Sequence, residues 1–476
     1  MRDLMLETSR PAAGTLAVNS PFDGRELEQL ATSGVEHVSD ALAAAHALFR
    51  DRSAWLSIPE RLEILARTAE IMSSQIDELT LLAASEGGKP YSDSKVEVIR
   101  AIDGVRLCAE TLKSHPGDVI PIATTPATTG RVAFTQKEPI GVVVAVSAFN
   151  HPLNLIVHQV GPAIASGCPV IVKPAADTPL SCIRFVEILR EAGLPAEWAQ
   201  VVITDNREAA EALVTDPRVG FFSFIGSARV GWMLRSKLAP GTRCALEHGG
   251  AAPVIIAPPY NRDAALSSIL KGGFYHAGQV CVSVQRLFVP RAEAKAFAEE
   301  LAERASQLVV GAPEDPATEV GPLIRHAEVV RVGEWVEEAV TAGAILLTGG
   351  KAISDSCYAP TVLLDPPQDS KVSSLEIFGP VVCVYSYDDI DEAVAQANAL
   401  PVAFQAAVFS NDIDQAMRLS KQLDASAVMI NDHSAVRDDV MPFAGLRESG
   451  LGTGGIPYTM HDMQIDKMMV VKSAQL

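Results

Sequence analysis

The sequence predicts an α/β protein built on parallel sheet, and three observations carry that expectation. Apolar, β-branched runs alternate with helix-like segments from residue 141 to residue 231. Each run is apolar throughout rather than at every second position, the pattern of a strand covered on both faces. The chain has 476 residues, 48% hydrophobic and 20% charged, enough for a large buried core and unlike the composition of long disorder.

Residues 38–49, 58–72 and 76–86 carry helical periodicity, the second with Leu62, Leu65 and Ile71 recurring among charges. The first hundred residues as a whole therefore read as helices. Between 117 and 138 the pattern becomes two short β-like pieces, VIPIA and GRVAFTQ, around the polar TTPATTG, which predicts a hairpin or extended arm. GVVVAVS then opens the alternation: a helix over 153–165, the strand PVIVKP, a helix over 180–192, the strand QVVIT, a helix over 207–215, and FFSFIG leading into GSARVG. Beyond Glu247 come APVIIA, a helix over 262–274 and stretches through LFV, AILLTG, VVCVYSY and SAVMIN. These predict a second α/β unit over about 250–450, and with no tandem repeat or low-complexity linker the two units are expected to pack closely.

Charge and cysteine usage narrow the function. With 58 acidic and 39 basic residues the net charge is −19, which argues against a general affinity for nucleic acid backbones. Seven scattered cysteines with no C-x-x-C and no close Cys/His cluster provide neither a disulfide scaffold nor a zinc ligand set, so no metal is expected and a reducing compartment fits best. The start, MRDLMLETSRPAAG, lacks the apolar core of a signal peptide. The long uncharged run over 139–172 is broken by Asn150, His151, Pro152, His158, Gly161, Pro162 and Pro169, so it reads as buried core and no membrane association is expected.

Several residues have the right company for chemistry. Cys281 ends GQVC after a helix that closes near Gly278, where a glycine-bearing turn supplies access and backbone N–H groups; alone, a cysteine is as readily a packing residue. Glu247 in LEHGG sits where a carboxylate can be partly buried and its pKa raised, or simply solvated. Asn150 in AFNHP follows a strand end, where ligands of parallel sheets gather; its amide suits an oxyanion, and a turn-forming asparagine would look the same. Gly226 and Ser227 open a helix after a strand, an anion-binding position, although the full G-x-G-x-x-G spacing is absent. Lys173 ends another strand, either meeting ribose or phosphate or lying on the surface.

Together, AFNHP, VIVKPAADTPLS, FIGSARVG, LEHGG, GQVC, EIFGPV and PFAGLRESGLG follow one another in the order and spacing of a known family. The chain resembles the aldehyde dehydrogenase superfamily from about residue 18 to 474, including the 34 positions between Glu247 and Cys281. The resemblance implies that Cys281 is the nucleophile, that Asn150 and the Cys281 N–H stabilise the oxyanion, and that Glu247 activates the water that hydrolyses the thioester. It further implies that Lys173 contacts the adenosine ribose, Gly226 and Ser227 the pyrophosphate, and Glu376 the nicotinamide ribose, with Phe378 packed near that end. The expected reaction is NAD(P)-dependent oxidation of an aldehyde to a carboxylic acid. Coenzyme-A-acylating chemistry is the alternative, one that typically lacks this glutamate, and a retired binding or structural member is a third.

Ala176 stands where many NAD-preferring relatives carry an acid, so NAD and NADP both stay open. Three further departures are His248 where leucine is usual, Ala444 for a common glycine and Arg447 for a common lysine. The expected fold is the family's: a Rossmann-like cofactor domain over 1–116 and 138–249, an α/β catalytic domain over 250–457, and an oligomerisation element from 117–137 and 458–476. A cytoplasmic homodimer or homotetramer follows from the resemblance. His151, His158, His433 and Arg437 are candidate substrate contacts, the histidines equally readable as supporting or solvent-facing residues, and Arg437 suits a carboxylate or phosphate on a semialdehyde unless Asp438 or Asp439 pairs with it.

Overall fold

A computed structural model describes residues 2–114 and 116–476. Two parallel sheets dominate it. The first has six strands in the order Gly450–Leu451, Arg243–Glu247, Val219–Ile225, Val142–Val146, Val170–Lys173 and Ala199–Val201, all parallel except the first. The second has seven, in the order Ile345–Thr348, Thr361–Leu364, Val381–Tyr387, Val284–Pro290, Ala252–Ile256, Gln405–Phe409 and Ala427–Ile430, with only the edge strand Ile345–Thr348 antiparallel. Ala252–Ile256 and Gln405–Phe409 are buried at every position, as continuous apolar strands sandwiched between helices must be. The α/β expectation holds, and so does the alternation that predicts it.

The arm also forms. Val119–Ile120 pairs antiparallel with Arg131–Pro139, and that strand pairs along its whole length with Gln464–Lys472. The last strand of this third sheet, Gln464–Lys472, comes only after Gly450–Leu451 has rejoined the first sheet and the helix Ile456–Asp462 has packed on the helices Asn154–Ser166 and Tyr91–Ser114.

The first hundred residues depart from an all-helical pattern. Gly14–Asn19 and Glu26–Thr32 form an antiparallel hairpin, turned at Gly24, whose φ of +72° is open to glycine. Its inward side chains, Val18 and Leu30, are buried beneath the helical layer, so tertiary packing rather than strong alternation makes these strands. The helix expected to run to about residue 100 continues through residues 101–114, to which the sequence pattern assigns no element, as the 24-residue helix Tyr91–Ser114.

Two distant glutamates finish the helices that lead to the site. Glu97 Oε1 accepts hydrogen bonds from the N–H groups of Leu153 (2.9 Å) and Asn154 (3.0 Å), at the start of Asn154–Ser166. Glu86 does the same for Leu180 and Ser181, both at 2.7 Å, heading the helix Leu180–Glu191. Neither helix has a capping side chain of its own, so these carboxylates satisfy N–H groups that would otherwise be orphaned in the interior.

Candidate active site

The carboxyl ends of the first sheet supply one wall of the site. Asn150 follows Val142–Val146, Lys173 ends its strand, Gly226 follows Val219–Ile225, and Glu247 ends Arg243–Glu247. Ligands of open parallel sheets collect at this edge because the strand-to-helix turns meet there.

The facing wall carries Cys281 on a constrained loop. The 3-10 turn Tyr275–Gly278 holds His276, Ala277 and Gly278 at φ of 49°, 53° and 70°, two of them non-glycine. Any Cβ at Gly278 would strike the Gly379 carbonyl. Gln279 then locks the loop: its Nε2 donates to the His276 and Pro322 carbonyls at 3.3 and 3.2 Å, and its Oε1 accepts from Ile324 N at 2.9 Å. The Gln279 carbonyl accepts from Asn150 Nδ2 at 2.9 Å, tying the two walls together two residues before Cys281. One Asn150 amide hydrogen is thus committed, and the other remains for a second acceptor.

Two carboxyl groups approach Cys281. Burial pushes Glu247 up to about 7, with the Arg437 charge opposing. The Glu247 side chain lies over Gly454, where a Cβ would overlap its Oε1. Burial pushes Glu376 up to about 8, against the hydrogen bond from Gly250 N at 3.2 Å and the Arg331 charge. Gly249 likewise leaves room that a Cβ would take from Glu376. Burial first, then the charges of Glu376 and Glu247, raise the Cys281 thiol, and Arg437 opposes them. The thiol is therefore protonated near neutrality, whereas the two carboxyl groups titrate close to it and are the bases within its reach.

Toward the other end of the cleft, Ser227 heads the helix Ala228–Arg235 without capping it through its hydroxyl, leaving the first N–H groups open. Lys173 Nζ makes one long bond, 3.4 Å, to the Pro174 carbonyl, and burial lowers its pKa with Asp177 opposing. Asp177 is held in turn by Arg325, whose Nε lies 2.9 Å away. Phe378, at φ +50°, packs edge-on against Phe149 at 5.8 Å. His248 fills the space beneath the Gly226 turn, its ring between Phe224 and Trp232.

Beside Cys281, Val280, Val282, Phe404 and Phe443 form a small apolar cup against which Tyr275 and Ala435 pack. Arg437 closes one side: its guanidinium lies 4.2 Å over Phe443, and Nη1 donates to the Met441 carbonyl at 2.8 Å. It makes no ion pair with Asp438 or Asp439 among the described residues. Asp439 is taken by Arg100, at 2.6 Å, and His158, at 2.8 Å. Of the histidines singled out, His151 bonds the Tyr275 hydroxyl at 3.0 Å, and His433 Nδ1 accepts from Ala435 N at 3.1 Å, so with His158 all three are occupied within the fold. Arg447 is bound to the Asn398 and Leu400 carbonyls and Asp424, holding a surface loop. The bracing by Gln279 and the room left by Gly454 lack any local sequence signal beyond their neighbours in GQVC and GLGTGG. No group of three His, Cys, Asp or Glu among the described residues could hold a metal.

Comparison with known proteins adds the following. The model of the aldehyde dehydrogenase family matches residues 8–469. The chain is 37% identical over 459 residues to 3-sulfolactaldehyde dehydrogenase of Priestia aryabhattai, covering 96% of this chain and 95% of that one. Aldehyde dehydrogenase 21 from Physcomitrella patens, in complex with the reaction product succinate, superposes with a TM-score of 0.94 at 32% identity, covering 99% of both chains. Glyceraldehyde-3-phosphate dehydrogenase of Methanocaldococcus jannaschii, complexed with NADP, does so with 0.92 at 32% identity, covering 98% of this chain and 100% of that one.

Proposed function

The chain belongs to the aldehyde dehydrogenase family, and from that premise we propose that Cys281, Glu247 and Asn150 oxidise a semialdehyde or hydroxyaldehyde to its carboxylic acid with NAD or NADP. The observation that carries this reading is the meeting of Cys281, Glu247 and Arg437 beside one apolar cup, Glu247 raising the thiol and Arg437 opposing the shift of both.

The residues fit a dinucleotide. Gly226 keeps the turn open, since a Cβ there would sit 2.9 Å from Phe224 Cζ, while Ser227 offers a free helix start and Lys173 a cation held by one long bond. Glu376 would take the nicotinamide ribose, and Phe378 lies at that end. Ala176 carries no charge and Asp177 is neutralised by Arg325, so neither rejects a 2′-phosphate. Bound there, the nicotinamide supplies the acceptor for the hydride.

The chain does the rest. Cys281 Sγ passes its one proton to one of the two site carboxylates as it adds to the carbonyl carbon, and the Cys281 N–H with the free Asn150 amide hydrogen meets the oxyanion. After oxidation the acyl group is held as a thioester on Cys281. Glu247 takes a proton from water, the oxygen adds to the thioester carbon, and the Cys281 thiolate leaves as the acid forms. Arg437 is the group for a distal carboxylate, sulfonate or phosphate: its fork is half-free, partly desolvated and next to the cup.

We also propose a homodimer or homotetramer joined through Gln464–Lys472, where Met468, Met469, Val470 and Val471 are exposed on a strand that has one neighbour among the described residues. Cytoplasmic residence is part of the same reading; all seven cysteines are free, and no helix among the described residues is long and apolar enough to cross a membrane. The test is reduced-nicotinamide formation against neutral, hydroxy- and anionic aldehydes, with each dinucleotide and with and without coenzyme A. Acid production with the anionic panel and no coenzyme A supports the reading. Turnover that requires coenzyme A would replace it with thioester-forming chemistry.

A further inference from the structure

His248 is the departure from the family pattern that sits nearest the chemistry, and the structure gives it a bond no leucine could make. Its Nδ1 lies 2.9 Å from the carbonyl oxygen of Gly226. A carbonyl only accepts, so Nδ1 carries the proton and Nε2 is left as the bare nitrogen, which has no hydrogen-bond partner among the described residues. The residue is 3% exposed. The ring is gripped edge-on by Phe224 and Trp232, at 5.6 and 5.8 Å between centroids, and Gly231 makes the space, since a Cβ there would overlap Cε1. Its own backbone N–H donates to Ser449 O at 2.9 Å.

The other side of Gly226 is held as well. Gly226 N–H donates to the Glu247 carbonyl at 3.0 Å. Both polar groups of the Gly226 backbone are therefore bonded to the dipeptide Glu247–His248, one through main chain and one through the imidazole. In a trans peptide the C=O of one residue and the N–H of the next point in opposite directions. Drawing the Gly226 C=O toward His248 aims the Ser227 N–H away from it, outward from the start of Ala228–Arg235, where the helix leaves its first donors unsatisfied.

We infer that His248 is a positioning residue for the dinucleotide, fixing the Gly226–Ser227 peptide so that the Ser227 N–H is presented to a phosphate. The inference rests on the cofactor reading above but adds a residue to it, and it links the turn to the backbone of the proposed base. Burial lowers the His248 pKa, in keeping with a neutral ring that donates from Nδ1 alone.

Asparagine and leucine have nearly the same shape and differ in the donor, since asparagine Nδ2 stands where histidine Nδ1 does. The experiment measures equilibrium binding of NADH and NADPH by calorimetry to the wild type, H248N and H248L, with kcat at saturating dinucleotide as a second readout. Losing one hydrogen bond of ordinary net strength should weaken binding about fivefold to tenfold in H248L. H248N should bind within about twofold of wild type, and kcat should move less than affinity in both. Should H248L not fold, H248M removes the donor while keeping a long apolar side chain. Wild-type affinity in the leucine or methionine variant would overturn the inference, as would an equal loss in H248N, which would assign the effect to volume. A wild-type protein that binds neither dinucleotide would overturn the cofactor reading itself.

Discussion

Glu247 and Glu376 reach Cys281 from opposite walls of the cleft and are held in opposite ways. Glu247 ends a strand of the first sheet, and its carboxylate lies over Gly454 with Arg437 as its one charged influence and no hydrogen bond from the described residues. Glu376 stands on the loop before Val381–Tyr387, its carboxylate bonded to Gly250 N and drawn by Arg331. Burial raises both, to about 7 and about 8. A carboxylate free of donors keeps its lone pairs for a water proton, whereas one already bonded to backbone is suited to holding a hydroxyl in place. The difference teaches that two acids of similar basicity, both acting on one thiol, take different work from what they are bonded to.

The strongest break in that comparison is removal of the thiol on which both act. Cys281→Ala should reduce turnover by at least about a thousandfold while dinucleotide affinity, measured by calorimetry, stays near wild type. Retained dehydrogenase activity would move the nucleophile elsewhere. Glu247→Gln comes next, with an expected loss of about a hundredfold to a thousandfold in steady-state turnover and an acyl-enzyme that accumulates in the first cycle. Its pH signature has a definite sign. As the proposed base, Glu247 works only when deprotonated, so wild-type kcat should fall as pH drops through about 7, and that inflection should vanish in the variant.

The two walls also differ in how far the sequence reveals them. Strand ends are local facts: a β-branched run, a following glycine or asparagine and a motif in order are enough to locate Asn150, Lys173, Gly226 and Glu247. What lies across the cleft is not local. The caps that Glu86 and Glu97 place on helices begun 94 and 56 residues later have no sequence signature, because any buried carboxylate could supply them. The hairpin 14–32 is hidden for the same reason, its strands being made by what covers Val18 and Leu30. Arg437 could be singled out as an anion ligand, but whether its acidic neighbours claim it depends on Arg100 and His158, which arrive from other helices.

Arg437 sharpens the contrast from the substrate side. Because Asp439 is engaged elsewhere, the free part of the Arg437 fork should meet a distal anion. Arg437→Gln should then raise KM about tenfold to a hundredfold for carboxy-, sulfo- or phospho-aldehydes, the worth of a charge-assisted hydrogen bond. Neutral aldehydes should change by less than about threefold. An equal loss on both classes would show that the arginine only tunes Glu247.

The smallest effect is expected where the comparison is finest. Glu376→Gln keeps an acceptor for Gly250 N and a partner for a hydroxyl, but removes the charge drawn by Arg331. Dinucleotide KM should rise about threefold to tenfold, the scale of one weakened hydrogen bond. The kcat inflection near 7 should remain, because Glu247 is untouched. Cys281 would lose one of the two negative neighbours that raise its thiol, so its alkylation rate at fixed pH should increase. Glu247→Gln should increase that rate as well while abolishing the kcat inflection. Glutamates that differ only in distance from the sulfur would change both readouts together. Glutamates that differ in bonding should share the thiol effect and part company at the pH profile, which makes the pair of variants a direct test of what their hydrogen bonds assign them to do.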